Sequence, residues 1–328
     1  VRADRYRPRR MPTHLSGVQP SGLPHLGNYF GAIQNHVALQ EAGGEHFYFI
    51  ADYHALTTSR DAESLRERVR ETAVPYLAFG LDPDRAVFFR QSDVPEVCEL
   101  TWLLACTTGM GLLERAHSYK DKTAKGIAAS AGLFLYPVLM AADILAYDSD
   151  FVPVGVDQVQ HIEMAQDMGQ AFNARYGREV FRRPEPLMSR HTKVPGLDGQ
   201  KMSKSYGNDL WVFTTGKPLK KAIARIATDS RPPEEPKDPD GLLLFEFLGL
   251  FLDEDELESW RERVRAGGPD APGYGHLKAR LVDAMEAAFA PARARREELL
   301  ADPGEVERIL RAGAERARAR ATATRDRA

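Results

Sequence analysis

The sequence predicts an α/β fold built on a parallel sheet, with a helical insertion and an all-helical C-terminal region. Three observations predict it. Compact apolar runs and helical patterns alternate through the first 92 residues. A helical stretch without a clear strand, about 95–147, then interrupts the alternation. Beyond about 215 only helix patterns remain, and the composition shifts toward Ala, Arg and Glu. Alternation of strand and helix is what crossovers between parallel strands require.

In order, THLSGV at 13–18 reads as a short strand and PSGLP as the turn after it. GNYFGAIQNHVALQEAGG at 27–44 reads as a helix with a glycine stop, and Tyr29, Ile33, Val37 and Gln40 recur in it near helical spacing. HFYFIAD at 46–52 is an apolar, aromatic-rich run of the kind that forms a buried strand. Asp61 can accept hydrogen bonds from the free N–H groups of the next helix, along which Leu65, Val69, Thr72 and Tyr76 recur. Gly80 suits the position just past its end. AVFFRQS at 86–92 is a third strand, FVPVG at 151–155 a fourth, and DQVQHIEMAQDMGQAFNARYG at 157–177 the helix that follows. Residues 182–200 are rich in Pro and Gly and read as loop. LLLFEFLGLF at 242–251 and HLKARLVDAMEAAF at 276–289 mark the C-terminal helices. Phe245, Phe247, Leu248 and Phe251, like Phe88 and Phe89, are expected in the core.

A chain of 328 residues is long enough for one large and one smaller domain, at roughly 150 residues each. Its 43% hydrophobic and 28% charged residues are those of a globular protein. No apolar run reaches the ~18–20 residues that span a bilayer, and VRADRYRPRRMPTH lacks an apolar signal-peptide core. A cytoplasmic protein with no membrane partner is expected. The net charge of −3 argues against a non-specific nucleic-acid coat but leaves local basic patches open. Two ends are basic: Arg2, Arg5, Arg7, Arg9 and Arg10, then Arg311, Arg316, Arg318, Arg320, Arg325 and Arg327. Each is expected to be a solvated, frayed terminus. Residues 1–12 are set apart as a disordered basic extension, with Met11 a candidate start. Cys98 and Cys106 match no metal-ligand spacing and are expected to be buried free thiols.

Two stretches carry chemistry. PHLGN at 24–28 falls between the first strand and the first helix, where an α/β sheet opens its ligand crevice. Gly27 and Gly31 allow close approach of a nucleotide, and the helix N-terminus offers free N–H groups to phosphate. His25 can hydrogen-bond a phosphate oxygen. Alone, such a turn is weak evidence. KMSKS at 201–205 is stronger, because the ammonium groups of Lys201 and Lys204, in a loop between PGLDGQ and YGND, suit a leaving pyrophosphate. Asp143 stands in the apolar stretch MAADILAY, where an unpaired carboxylate is costly. His161 shares a helix face with Asp157, and a structural hydrogen bond is expected there rather than a metal pair. His54 is divided evenly between core and pocket.

Together PHLGN and KMSKS resemble the two signatures of the class I aminoacyl-tRNA synthetases. Leu26 replaces the usual Ile and Asn28 the second His, the latter a substitution common among the tryptophan enzymes. The resemblance extends across SGVQPSGLPHLGNYFGA at 16–32, LFLYPVLMAADILAY at 133–147, VPVGVDQVQHIE at 152–163, TDS at 228–230 and YGHLK at 274–278. From residue 13 on it is to the bacterial-type tryptophanyl-tRNA synthetases. It implies a Rossmann-like catalytic domain at 13–214, with the insertion at about 95–147, and a helical anticodon-binding region with a C-terminal helix at 215–328. It also implies ATP as substrate with Mg²⁺ on its phosphates, L-tryptophan and tRNA(Trp) as partners, a homodimer, and no zinc or iron–sulfur cluster.

Roles carry over by position. Gln19, Pro20, Ser21, His25, Gly27 and Asn28 match ATP contacts. Gly155, Val156 and Asp157 match a loop facing the ribose, and Val194 a backbone contact to adenine. Lys201, Met202, Ser203, Lys204 and Ser205 match the flap over the phosphates, and Lys122 a lysine that helps hold them. His25, Lys122, Lys201 and Lys204 are the implied catalytic group. Asp143 matches the reader of the indole, with Met140 one turn earlier, Tyr136 near the substrate amino group, Gln158 on the amino acid and His54 beside the pocket.

The chemistry of tryptophan agrees with that set. Its ring has one polar atom, a donor-only N–H, so a selective pocket needs one fixed acceptor inside apolar walls. Such a site rejects analogues that leave the acceptor unpaired, by up to ~10⁴–10⁵. Val156 stands where Glu is frequent, Tyr53 where Gln is common and Leu15 where an aromatic is frequent, and 229–250 matches poorly. Tyrosyl-tRNA synthetases share the fold and both signatures; GNYFGA, AADIL and VPVGVDQ favour tryptophan. A non-catalytic RNA-binding paralogue is expected to lose a signature residue, whereas His25, Lys201 and Lys204 are all present.

Overall fold

The computed structural model describes residues 10–116, 130–155, 158–188 and 194–328. Five strands form one parallel sheet: β1 (Thr13–Val18), β2 (Glu45–Ile50), β3 (Val87–Arg90), β4 (Phe151–Val154) and β5 (Glu185–Met188). Their order is β3-β2-β1-β4-β5. The chain lays β2 and β3 outward on one side of β1, then returns to add β4 on the other. Beyond the carboxyl ends of β1 and β4, where the order reverses, an open α/β sheet leaves a crevice. β2 is buried along Phe47, Tyr48, Phe49 and Ile50, as a strand covered on both faces must be.

Crossovers follow the sequence pattern. After β1 come α1 (Leu26–Asn28), a π-helical turn (Tyr29–Ile33) and α2 (Gln34–Glu41). After β2 come α3 (Asp52–Ala55) and α4 (Ala62–Ala78), whose first turn is capped by the Asp61 carboxylate accepting from Ser64 N–H at 2.8 Å. Gly80, just past α4, has φ +99°, a conformation that glycine adopts without a Cβ clash. The insertion supplies α5 (Glu96–Ala105), α6 (Met110–Glu114) and α7 (Ala131–Ala146). After β4 comes α8 (Val159–Tyr176), closed by left-handed Gly177. The C-terminal region is α9 (Gly216–Ala224), α10 (Leu243–Leu248), α11 (Glu254–Ala266), α12 (Tyr274–Ala301) and α13 (Pro303–Arg327).

Three features depart from the sequence reading. The 182–200 stretch, expected as loop, contains β5. Its four residues are too few for a periodic signal, and Pro186 fits because an edge strand can forgo a ladder N–H. Cys98 and Cys106 are exposed rather than buried. The reason is that α5 is apolar on more than one face: Val97, Leu100 and Leu104 point into the core, while Cys98 and Trp102 point out, Trp102 being 71% exposed. The basic C-terminal run is not frayed either. It forms most of α13, which lies along β3 and covers that edge of the sheet.

The α13 contact is set by small residues. Val306 and Leu310 pack with Phe88 of β3, and Ala314, Ala317 and Ala321 join the core beneath the insertion. Between them, Gly313 lies so close to the strand that a Cβ there would collide with the Phe88 carbonyl oxygen. The arginines fasten the rim: Arg318 to Glu96 at 2.9 Å, Arg320 to Glu45 at 2.9 Å, Arg327 to Asp148 at 2.6 Å. At the opposite end of the chain, Arg10 bonds Asp150 at 2.6 Å, and residues 1–9 lie outside those described.

Candidate active site

The PHLGN turn is built as a reciprocal cap. His25 Nδ1 accepts from the Asn28 N–H at 3.3 Å, and Asn28 Oδ1 accepts from the His25 N–H at 3.1 Å. This arrangement satisfies two N–H groups that a helix start leaves open. It also fixes the ring's tautomer: with Nδ1 accepting, a neutral His25 carries its proton on Nε2, free to donate to an anion. Burial, then the Lys204 ammonium, holds the His25 pKa below its usual value, so the ring is neutral at pH 7.

The KMSKS segment closes against the same turn. Leu26 N–H donates to Leu210 O at 2.9 Å, and Val212 N–H to Pro24 O at 3.2 Å. Lys204 Nζ donates to Ser21 O at 2.5 Å and lies 4.7 Å over the Trp211 ring. Burial lowers the Lys204 pKa, offset in part by Asp209 and Glu71. Gln19, Ser21, Gly22, Pro24 and Asn28 line a small groove, and Lys204 meets this turn through its bond to Ser21 O. Met202 and Leu26 are buried together in the core formed with α9–α12, which ties loop and turn to the helical region. Ser203 N–H donates to Asn208 Oδ1 at 2.8 Å, and the Ser203 and Ser205 hydroxyls lie 2.8 Å apart on the loop's exposed side.

Beside the groove lies a cavity of about 470 Å³. Gln19 lines both. Leu15, Phe49, Met140, Ile144, Val152 and Val154 make the cavity's apolar walls, and Tyr136, His54 and Gln158 contribute polar groups. Asp143, 2% exposed, is its buried carboxylate. His54 Nε2 lies 2.9 Å from Asp143 Oδ2. Gln91 Nε2 donates to Oδ1 at 2.9 Å and to Oδ2 at 2.7 Å. Burial pushes the Asp143 pKa up, and the bonds from His54 and Gln91 pull the other way.

The structure thus brings Asp143, Met140, Tyr136, His54, Gln158 and Gln19 together around one cavity, and Ser21 and Asn28 line the adjoining groove, with His25 bonded to Asn28 and Lys204 to Ser21. Gly155 directly follows β4, and its carbonyl accepts from Gln158 N–H at 3.0 Å. Val194 is buried in the helical-region core, and Lys201 pairs with Pro195 in an antiparallel bridge. Lys122, Val156 and Asp157 lie outside the described residues. His161 Nε2 lies 3.1 Å from the Tyr136 hydroxyl, the structural hydrogen bond expected of it, and also lines the cavity. Gln91 is the residue sequence reasoning missed. It reads as the tail of a strand, and only its 1% exposure in the fold marks it as an internal polar group. A larger hollow of about 710 Å³ lies between α4 and α13, but Arg66, Arg90 and Arg311 on its walls are paired with Glu63, Glu307 and Asp93.

Comparison with known proteins agrees with this geometry. The family described as tRNA synthetases class I (W and Y) matches residues 7–266. The tryptophan–tRNA ligase of Rhodopirellula baltica is 56% identical over 315 residues, covering 96% of this chain and 97% of that one. The tryptophan–tRNA ligase of Fusobacterium nucleatum is 50% identical over 309 residues, 94% of each chain. The crystal structure of tryptophanyl-tRNA synthetase from Campylobacter jejuni, complexed with ADP and tryptophan, superposes with a TM-score of 0.88 at 48% identity, over 95% of this chain and 97% of that one. With a match across both the cradle and the flap, and relatives aligned over nearly their whole length, this chain belongs to the class I tRNA synthetases of the tryptophan and tyrosine family.

Proposed function

We propose that the chain is an ATP-dependent ligase that activates L-tryptophan and loads it onto tRNA(Trp). One observation carries the choice of amino acid: a buried carboxylate, Asp143, facing a cavity with apolar walls that shares Gln19 with the groove at the PHLGN turn. An indole fills such a cavity and gives its single N–H to the carboxylate. The names of the relatives, and the ADP and tryptophan in the Campylobacter jejuni enzyme, support the same reading.

In the first step the tryptophan carboxylate attacks the α-phosphorus of ATP, forming the mixed anhydride and expelling pyrophosphate. Reaction of this kind depends on placing the partners in line and stabilising charge on oxygen. His25 Nε2–H and the Lys204 ammonium donate to the leaving phosphates, and Lys201 and Lys122 add positive charge. Tyr136 and Gln158 hold the amino acid, and Gln19, at the junction, keeps its carboxylate beside the α-phosphorus. Gly155, Val156, Asp157 and the Val194 backbone receive ribose and adenine. In the second step a terminal hydroxyl of the tRNA attacks the anhydride carbonyl and AMP leaves. Mg²⁺ would come with ATP and neutralise phosphate charge, and among the described residues no cluster of His, Cys, Asp or Glu is placed to hold a metal ion of its own.

Helices α9–α12 are the proposed anticodon-binding region. A second copy of the chain is the proposed occupant of the outward face of the insertion, where Trp102 is 71% and Met110 61% exposed. Among the described residues no helix is long and apolar enough to cross a membrane, and an enzyme that charges tRNA works where translation does, in the cytoplasm. The test is exchange of labelled pyrophosphate into ATP. Tryptophan should support it and tyrosine should not; exchange with tyrosine alone would reassign the pocket.

A further inference from the structure

Asp143 is aimed by a residue outside the family motifs quoted above. Gln91, one residue beyond β3, spends both ends of its amide inside the protein. Its Nε2 reaches both Asp143 oxygens, at 2.9 and 2.7 Å. Its Oε1 accepts from the Tyr53 N–H at 3.1 Å. That backbone donor fixes which way the amide lies. A flipped amide would set N–H against N–H at Tyr53 and oxygen against oxygen at Asp143. The Tyr53 peptide is itself held, because Asp52 Oδ1 accepts from the N–H groups of Tyr53 and Ser92 at 3.1 and 3.0 Å, and Asp52 Oδ2 accepts from the Ser92 hydroxyl at 2.5 Å. The ends of β2 and β3 are thus clamped together, and Gln91 stands in the clamp.

We propose that Gln91 is a positioning and specificity-determining residue: its locked amide holds the Asp143 carboxylate as a hydrogen-bond acceptor aimed into the cavity, so that only an amino acid whose ring donates is accepted. The inference rests on the proposed role of Asp143. A locked N–H₂ group demands an acceptor opposite it. A protonated Asp143 would instead offer its own O–H and leave one of these donors without a partner. Gln91 therefore acts through Asp143 and does not touch substrate.

The experiment compares tryptophan with its sulfur isostere, 3-benzothienylalanine, which has the same ring shape and no N–H. Pyrophosphate exchange is measured for the parent, Gln91→Met, Gln91→Glu and Asp143→Asn. The parent should prefer tryptophan strongly. Gln91→Met should raise KM for tryptophan by roughly tenfold to a hundredfold, the range of a charge-assisted hydrogen bond, leave KM for ATP within about twofold, and collapse the preference. Gln91→Glu should behave like Gln91→Met at alkaline pH, where two carboxylates oppose each other. It should recover as pH falls and the introduced carboxyl gains a proton to donate, which a merely structural role would not produce. A parental preference in Gln91→Met overturns the inference, and if that variant does not fold, a flat pH profile in Gln91→Glu overturns it. Asp143→Asn separates the two claims. If it too keeps the preference, the assignment of Asp143 fails; if only Asp143→Asn loses it, Gln91 alone is misassigned.

Discussion

Lys204 illustrates how a single side chain is poised. Its ammonium bonds the Ser21 carbonyl and lies over Trp211, so it stands against the turn proposed to receive the phosphates. Lys204→Ala should lower adenylate formation by a factor of ~10²–10³, the cost of removing one preorganised charge donor, with little change in tryptophan affinity. Pyrophosphate exchange checks this; an unchanged rate would remove the loop from the mechanism. A second residue-scale effect lies where α2 packs on β2. His36 is buried between Tyr48 and Tyr76, its Nδ1 3.2 Å from the Tyr76 hydroxyl, and burial pushes its pKa down to about 3. The unfolded chain protonates this ring near pH 6.5 and the native one does not. Stability is therefore full above about pH 6.5 and is lost as pH falls from there toward 3. His14 and His46, stacked 4.9 Å apart and also lowered by burial, act in the same direction. Urea titrations at pH 7 and 4.5 should show a shallower acid loss in His36→Gln than in the parent.

At the scale of elements, most of what positions the site was written locally. The Asp61 cap, the Gly177 stop and the apolar runs of β1 to β4 all follow from residues within a few positions of each other. The His-x-x-Asn spacing at 25–28 even encodes its own reciprocal cap. β5 was not legible, because four edge residues with a proline carry no periodic signal. The path of α13 was not legible either, since an amphipathic helix does not say what it lies on. Gly313 gives the clearest test of that path. On helix propensity alone, Gly313→Ala should gain about 1 kcal/mol. The Cβ would meet a strand carbonyl that cannot move aside, and overpacking of that kind costs roughly 1–3 kcal/mol. A net loss of stability is expected, read as a lowered Tm; a raised Tm would mean that α13 does not press on β3.

Across the whole molecule, two cores meet at the site. The sheet's core holds the cavity walls, while Leu26 and Met202 belong to the core of the helical region. Cradle and flap are therefore anchored through Leu26 and Met202 in the helical region's core, beside a cavity walled by the sheet's core. The same scale explains why the cysteines were misjudged. An apolar stretch such as VCELTWLLAC reads as buried, and one face of α5 is, whereas the other faces outward. Trp102→Glu should convert a dimer into monomers in sedimentation equilibrium at micromolar concentration while leaving the fold intact by circular dichroism. A parent that sediments as a monomer would refute the proposed assembly.

Side chains close together in the chain were enough to set the order of strands and helices, the two signature motifs and the candidate carboxylate. Packing between distant segments was needed for the rest. It made Gln91 and His54, 52 and 89 residues from Asp143, the partners of that carboxylate. It also laid the last helix against the edge of the first body's sheet. No local pattern encodes such contacts, because burial chooses them, and a desolvated polar group accepts whichever donor the packing delivers.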